Sequence, residues 1–303
     1  MSMATARLKT GETWTTRRLL EWMTGDFESK GIDSPRVVAE MLLSHVIGCE
    51  RMRLYMEVDR PAEPPELASL RALVARAARH EPAQYLVGHA WFFSRQYAVS
   101  RGVLIPRPCT ETLVEYVIRW CRSEPPGRAA PLIADIGTGS GCVAISLALQ
   151  LPGARVVATD VSEEALAVAR RNSATHGVAD RIEFRRGPGL EPLAGGPRAA
   201  YDLICSNPPY ISHEQWHAVG AGVKDYEPET ALRGGPDGLD VIRPIIAGAA
   251  ALLRPGGRLV VEIADQHHDA VSGLVEQTGV LTEPVILKDH EGLWRVLVAE
   301  GRK

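Results

Sequence analysis

Cysteine is scarce in this chain. Its 303 residues hold five, Cys49, Cys109, Cys121, Cys142 and Cys205, with no C-x-x-C pair among them. An odd, scattered set offers neither a disulfide framework nor a structural zinc knuckle, and it suits a reducing compartment. No apolar run approaches the ~20 residues needed to cross a bilayer. The first residues, Glu12 among them, lack the apolar stretch of a secretory signal. The expectation is a cytoplasmic protein without membrane association. A surplus of one charge is also missing: 34 Lys and Arg stand against 37 Asp and Glu, for a formal net charge of -3. Proteins that neutralise a nucleic-acid backbone carry a concentrated basic surface, so a protein or small-molecule substrate is favoured, with no direct nucleic-acid contact.

What is present is an ordinary folding composition, 45% hydrophobic and 23% charged, at a length where single cores stop growing and chains divide. Residues 1-83 read as a helical domain. Thr15 or Thr16 can cap a helix with Leu19, Leu20, Trp22, Met23 and Phe27 on one face, ended by Gly31. Ser34-Pro35 restarts a helix that stops at Gly48, and a third runs from about Pro65 to His80. Residues 84-108 change period: Trp91, Phe92, Tyr97, Val99, Val103 and Ile105 sit in short runs broken by Ser94-Arg95 and Arg101-Gly102, which predicts a β-hairpin linker.

Residues 109-303 form the larger domain. A helical segment with Leu113, Val114, Val117 and Ile118 leads to a loop at Glu124-Pro125-Pro126-Gly127. Strand patterns then fall at 132-136, 155-160, 181-186, 201-206 and 258-264, with helices at 140-150, 162-176 and 238-253. This alternation predicts an α/β fold with a parallel, doubly wound sheet. The last two strands, 280-288 and 293-299, are joined by only four residues, too few for a parallel crossover, so they should form an antiparallel hairpin and bring the sheet to seven strands.

Two motifs carry chemistry. Asp135-Ile136-Gly137-Thr138-Gly139-Ser140-Gly141 lies where the first strand turns into the first helix, and Asp160 ends the next strand. Glycines there let the backbone turn sharply and approach a ligand, leaving amide donors at a helix start, while a carboxylate about 25 positions on can accept from a ribose diol. A glycine turn alone also marks a plain tight loop; Asp160 tips the reading towards a nucleotide-like cofactor. A dinucleotide fingerprint wants glycine at 142, where this chain has Cys142. The loop is closer to the G-x-G-x-G of S-adenosylmethionine enzymes, with Asp135 available to the cofactor's amino-acid end.

The second motif, Ser206-Asn207-Pro208-Pro209-Tyr210, ends the fourth strand. Two successive prolines have no N–H to donate and hold a rigid extended turn whose carbonyls can point outward. That suits transfer to a planar nitrogen, whose lone pair is delocalised and which improves as a nucleophile when acceptors hold its N–H groups. Asn207 Oδ1 and the Pro208 carbonyl can supply two acceptors, and the Tyr210 ring can stack on the flat group.

These residues, with Gly102-Val103-Leu104-Ile105-Pro106-Arg107-Pro108 before Thr110-Glu111, and Tyr226-Glu227-Pro228 continuing through Ala231-Leu232 to Gly234-Gly235-Pro236-Asp237-Gly238-Leu239-Asp240, resemble the HemK/PrmC family over nearly the whole chain. The resemblance implies a Rossmann-like class I methyltransferase sheet and S-adenosylmethionine as cofactor. It also implies methylation of the glutamine amide (N5) in the Gly-Gly-Gln motif of class I peptide chain release factors; separately, a monomer is expected. Carried over by position, the cofactor contacts would be Asp135, Gly137, Thr138, Gly139, Ser140, Gly141, Asp160, Gly189 and Asn207. The glutamine would meet Asn207, Pro208, Pro209 and Tyr210, of which Asn207, Pro208 and Tyr210 would be catalytic, and the helical domain would grip the release factor. Two positions depart from the family pattern: Cys109 replaces an acidic residue, and Pro188-Gly189 replaces the acidic-aromatic pair that flanks the adenine.

Rivals remain. A ribosomal-protein glutamine methyltransferase would use the same site, though Pro106-Arg107-Pro108 with Thr110-Glu111 favours the release-factor branch. A DNA adenine methyltransferase shares the tetrapeptide Asn207-Pro208-Pro209-Tyr210 but would carry a basic target-recognition domain, and a binding module with a relic cofactor fold would show a broken site. His213-Glu214-Gln215-Trp216-His217 matches the zinc pattern H-E-x-x-H, yet Val223 stands where a third histidine is needed, so no metal is expected. His267-His268 reads as an exposed helix start.

Overall fold

Along each central strand, successive side chains go to opposite faces of one sheet, as the two-residue period of a strand requires. Ile133, Leu203, Val260 and Val296 enter one core, while Ala134, Ile204, Val261 and Leu297 enter the other. Strands buried on both faces read as continuous apolar runs. This computed structural model describes residues 13–123, 130–194 and 199–302; the turn expected at Glu124-Pro125-Pro126-Gly127 lies outside them.

The chain divides into two units. The smaller takes the chain to Gly88 together with Gly220–Tyr226, and the larger holds His89–Val219 and Glu227–Lys303. Helices α1 (Thr16–Ser29), α2 (Pro35–Ile47), α3 (Arg51–Met56), α4 (Pro64–Ala77) and α5 (Ala83–Val87) build the first, around Leu20, Met23, Phe27, Leu42 and Leu70. Thr15 caps α1 by accepting from Arg18 N. Ser34 does not cap α2 through its side chain: it is left-handed (φ 49°), leaving Pro35 to start the helix. The start of α4 is set by a capping box between Glu63 and Glu66. The short α3 and α5 were not expected, because five or six residues cannot display a 3.6 period.

The hairpin is shorter than residues 84–108. α5 occupies its beginning, β1 (His89–Phe92) pairs with β2 (Arg95–Ala98), and no strand follows over 99–107. The turn lies at Phe93-Ser94, both at positive φ (48° and 60°), the two-residue geometry that matches strand twist. After α6 (Glu111–Ser123) come β3 (Leu132–Ile136), α7 (Cys142–Gln150), β4 (Arg155–Asp160), α8 (Glu163–Thr175), β5 (Ile182–Arg186) and β6 (Tyr201–Ser206). Then follow α9 (His213–Trp216), α10 (Ala221–Lys224), α11 (Ile242–Leu252), β7 (Leu253–Glu262), α12 (His268–Thr278), β8 (Val285–Lys288) and β9 (Trp294–Glu300).

The seven-stranded order is β5-β4-β3-β6-β7-β9-β8. β3 to β7 run parallel, and β9 is antiparallel to both β7 and β8. The predicted sheet and its antiparallel end are thus present. β7 begins at Leu253, earlier than expected, because it carries Pro255-Gly256-Gly257 through a register shift opposite Tyr201 and Leu203. Among the described residues no helix is long and apolar enough to cross a membrane.

Candidate active site

Strand order reverses between β3 and β6, which are sheet neighbours although β4 and β5 intervene in sequence. In parallel sheets, ligands bind in the crevice at the carboxyl ends of strands flanking such a switch. The glycine turn leaves β3 there and the tetrapeptide leaves β6. Ile136 and Ser206 are in register, and Ser206 Oγ donates to Ile136 O at 2.8 Å, tying the two strand ends together.

Gly137, Gly139 and Gly141 are all left-handed, at φ 72°, 56° and 80°. At Gly141 a Cβ would also stand 3.1 Å from the Ala169 Cβ, so α7 can approach α8 only with glycine there. The loop amides are largely spent on the protein itself. Gly137 N and Thr138 N donate to Thr159 O, and Gly141 N donates to Thr138 O. Gly139 N donates to Asp160 Oδ2 at 2.9 Å, and Ser162 N donates to Asp160 Oδ1 at 2.9 Å. The loop therefore offers a ligand close approach more than a row of donors, which corrects the expectation from sequence. Ser140 Oγ is an exception: it is buried without a hydrogen-bond partner.

Burial pushes the Asp160 carboxyl up, against the pull of those two N–H groups. Asp135 is buried outright and is pushed up to about 6 by desolvation, despite accepting from Thr138 Oγ1 at 2.7 Å. Both carboxyls line one cleft, which encloses about 1150 Å³ including its open mouth. The residues 137–140, Pro188, Gly189, Asn207, Pro208 and Pro209 line it too, as do Arg107 and Thr110. Tyr210 is not part of that lining. Its hydroxyl donates to Glu262 Oε1 at 3.2 Å, and burial raises it further above the usual phenol range.

Asn207 Nδ2 donates to Thr110 Oγ1 at 3.1 Å, an arrangement that leaves Oδ1 as the free end of the amide. Behind the prolines lies the glycine block. A Cβ on Gly234 would stand 2.7 Å from Pro209 O, and one on Gly238, at φ 83°, would meet the His267 ring at 2.6 Å. The block is glycine-rich because it braces the proline corner from behind. His267 is buried within that packing, not exposed as expected, and α12 starts one residue later.

Four residues escaped the sequence reading as parts of the site. Glu227, 4% exposed, forms an ion pair with Arg107 and accepts from Ile105 N at 3.1 Å, joining two of the sequence blocks. Asn172 accepts from Ala98 N at 2.8 Å and donates to Ser140 O at 2.8 Å, linking the hairpin to the glycine loop. Thr110 anchors Asn207. Glu262, wholly buried at the end of β7, receives Tyr210 and, at 3.8 Å, the Cys109 thiol. Burial pushes its carboxyl up, against the pull of the neighbouring Thr110, Arg295, Tyr210 and Cys109 side chains. The signal for Glu262 was a lone carboxylate closing the apolar run Leu259-Val260-Val261. The H-E-x-x-H pattern falls on the single turn α9, where Ser212 and Gln215 form a capping box.

The family described as PrmC N-terminal domain matches residues 18–88, and that described as Methyltransferase small domain matches residues 125–222. A release factor glutamine methyltransferase of Geobacter sulfurreducens is 43% identical over 286 residues, covering 94% of this chain and 96% of that protein. One of Chlorobaculum tepidum is 43% identical over 290 residues, with 94% and 96% covered. In structure the chain resembles the hMettl16 catalytic domain, solved with a MAT2A 3'UTR hairpin, at TM-score 0.53 and 17% identity, covering 77% of this chain and 81% of that one; at that identity the likeness speaks for the fold alone. On its agreement with curated relatives across nearly its whole length, the chain belongs to the release factor glutamine methyltransferase family and is a methyltransferase.

Proposed function

We propose that this enzyme methylates N5 of the glutamine side chain in the Gly-Gly-Gln motif of class I peptide chain release factors, with S-adenosylmethionine as donor. One observation carries the reading. Asn207, beside the glycine loop, is anchored by its nitrogen and so has its oxygen left for a substrate N–H.

The residues present fit the donor. Asp160 keeps acceptor capacity on both oxygens for a diol, Asp135 is a buried carboxyl suited to a cationic amino group, and Ser140 Oγ is an orphaned polar atom in the same lining. When bound, S-adenosylmethionine supplies a methyl group made electrophilic by the sulfonium. The chain's own contribution is positional. Asn207 Oδ1 and the Pro208 carbonyl accept the two N–H groups of the glutamine amide, turning its nitrogen face towards the methyl. As the N–C bond forms and the S–C bond breaks, the nitrogen releases one proton to solvent. The acceptors stabilise the positive charge growing on nitrogen, the mirror image of donors arranged around an oxyanion.

The test is mass spectrometry of a purified class I release factor after incubation with enzyme and donor, in which the motif glutamine should gain about 14 Da, one CH2. Asn207→Ala should lower the rate by roughly 100-fold or more, as loss of one preorganised polar contact does, while donor binding falls only in part. Undiminished turnover would remove Asn207 from the reaction.

A further inference from the structure

The two ends of the tetrapeptide share one buried carboxyl. Tyr210 donates to Glu262 Oε1 directly. Asn207 reaches the same group through Thr110, whose hydroxyl takes the Asn207 N–H at 3.1 Å and lies beside Glu262. Glu262 Oε2 is buried and has no hydrogen-bond partner. A hydroxyl has one proton, and Glu262 already stands as the acceptor towards Tyr210 and Cys109. With Glu262 as its neighbour, Thr110 turns that proton towards the acid and its lone pairs towards Asn207. Only the NH2 end of Asn207 can then face Thr110, and the oxygen is delivered to the cleft.

We propose that Glu262 is a positioning residue which, acting through Thr110, decides which end of the Asn207 amide the substrate meets. This rests on the proposed reaction, since the amide's orientation matters only if Asn207 must accept. Cys109 supports the arrangement, because its thiol is a further donor to Glu262 Oε1. Tyr210 and Cys109 both treat the acid as an acceptor, and Thr110, placed beside it, follows the same polarity.

Glu262→Gln keeps the shape and reverses the logic. An NH2 beside Thr110 would donate to the hydroxyl, the hydroxyl would donate to Asn207, and the amide would turn over to show its nitrogen to the cleft. The single-turnover rate of methyl transfer to a release factor should fall about 100-fold, comparable to losing an oriented polar contact in a transition state, with KM for the release factor within roughly twofold. Thr110→Val should cost as much, and the double variant should be no slower than the slower single one, because both break one relay. A rate for Glu262→Gln equal to the parent's, or an additive double variant, would overturn the assignment. Absence of methylation by the parent enzyme would instead refute the proposed function.

A second reading needs no turnover. The chain has only two asparagines, Asn172 and Asn207, so selective ¹⁵N-asparagine labelling leaves two side-chain NH2 signals in the NMR spectrum. Glu262→Gln should move the Asn207 pair and leave that of Asn172, held by Ala98 and Ser140, in place. Movement of both pairs, or of neither, would sink the proposal.

Discussion

Asp160 and Glu262 are both buried acids, and their surroundings give them different work. Asp160 spends one bond from each oxygen on the backbone of Gly139 and Ser162, which fixes the glycine loop against β4 and leaves further lone pairs for the cleft. Asp160→Ala should weaken S-adenosylmethionine binding by about 10- to 100-fold, the range for losing hydrogen bonds to a charged group. Titration calorimetry reads this directly, and an unchanged affinity would take Asp160 out of the site. Cys109 shows the same logic in reverse. Burial and the neighbouring Glu262 push its thiol up to about 11, so it stays a neutral donor, where an acid would crowd a second carboxyl against a buried one.

Among the elements, those with a repeating pattern were legible before folding and those without were not. β3, β4 and β6 end where expected because apolar runs stop at Asp135-Ile136, Asp160 and Ser206. α3 and α5 are too short to show a period, and the hairpin turn lies one residue earlier than Ser94-Arg95 because cross-strand register, not composition, decides it. The contact between hairpin and loop was equally invisible: Asn172 sits in α8, 74 positions from Ala98. Asn172→Ala would strand the amide and carbonyl of Ala98 and the carbonyl of Ser140. A loss of about 3 kcal/mol is expected from unsatisfied buried groups, read from urea unfolding, and a change within experimental scatter would show that water replaces the side chain.

Across the whole molecule, pH dependence separates two kinds of acid. Glu66 and Asp289 are held below their ordinary values, by Arg60 for Glu66 and, against the cost of burial, by Arg295 for Asp289, so the stability they contribute is lost only as pH falls through the lowered range. Asp135 goes the other way: 3.8 is its ordinary value and it is lifted to about 6 in the fold. The folded chain then holds the proton more tightly than the unfolded one, and stability falls as pH rises from about 4 to about 6. Between about pH 5 and pH 7 the unfolding free energy of the parent should drop by about 1 kcal/mol relative to Asp135→Asn. Urea unfolding at both values tests this, and a flat or rising difference would contradict it.

The succession of strands and helices along the chain, the antiparallel ending, the glycine turn and the proline corner follow from local facts: apolar period, loop length, and the φ restrictions of glycine and proline. Such preferences act over a few residues and are written in consecutive letters. The hold on the corner is different. Thr110, Gly238 and Glu262 lie far apart in the chain, Cys109 and Glu262 being separated by 153 positions, and they act on Asn207 and its neighbours only after the sheet has ordered itself β3-β6-β7. Hydrogen bonds reach about 3 Å, so which distant groups meet is decided by the packing that carries them there.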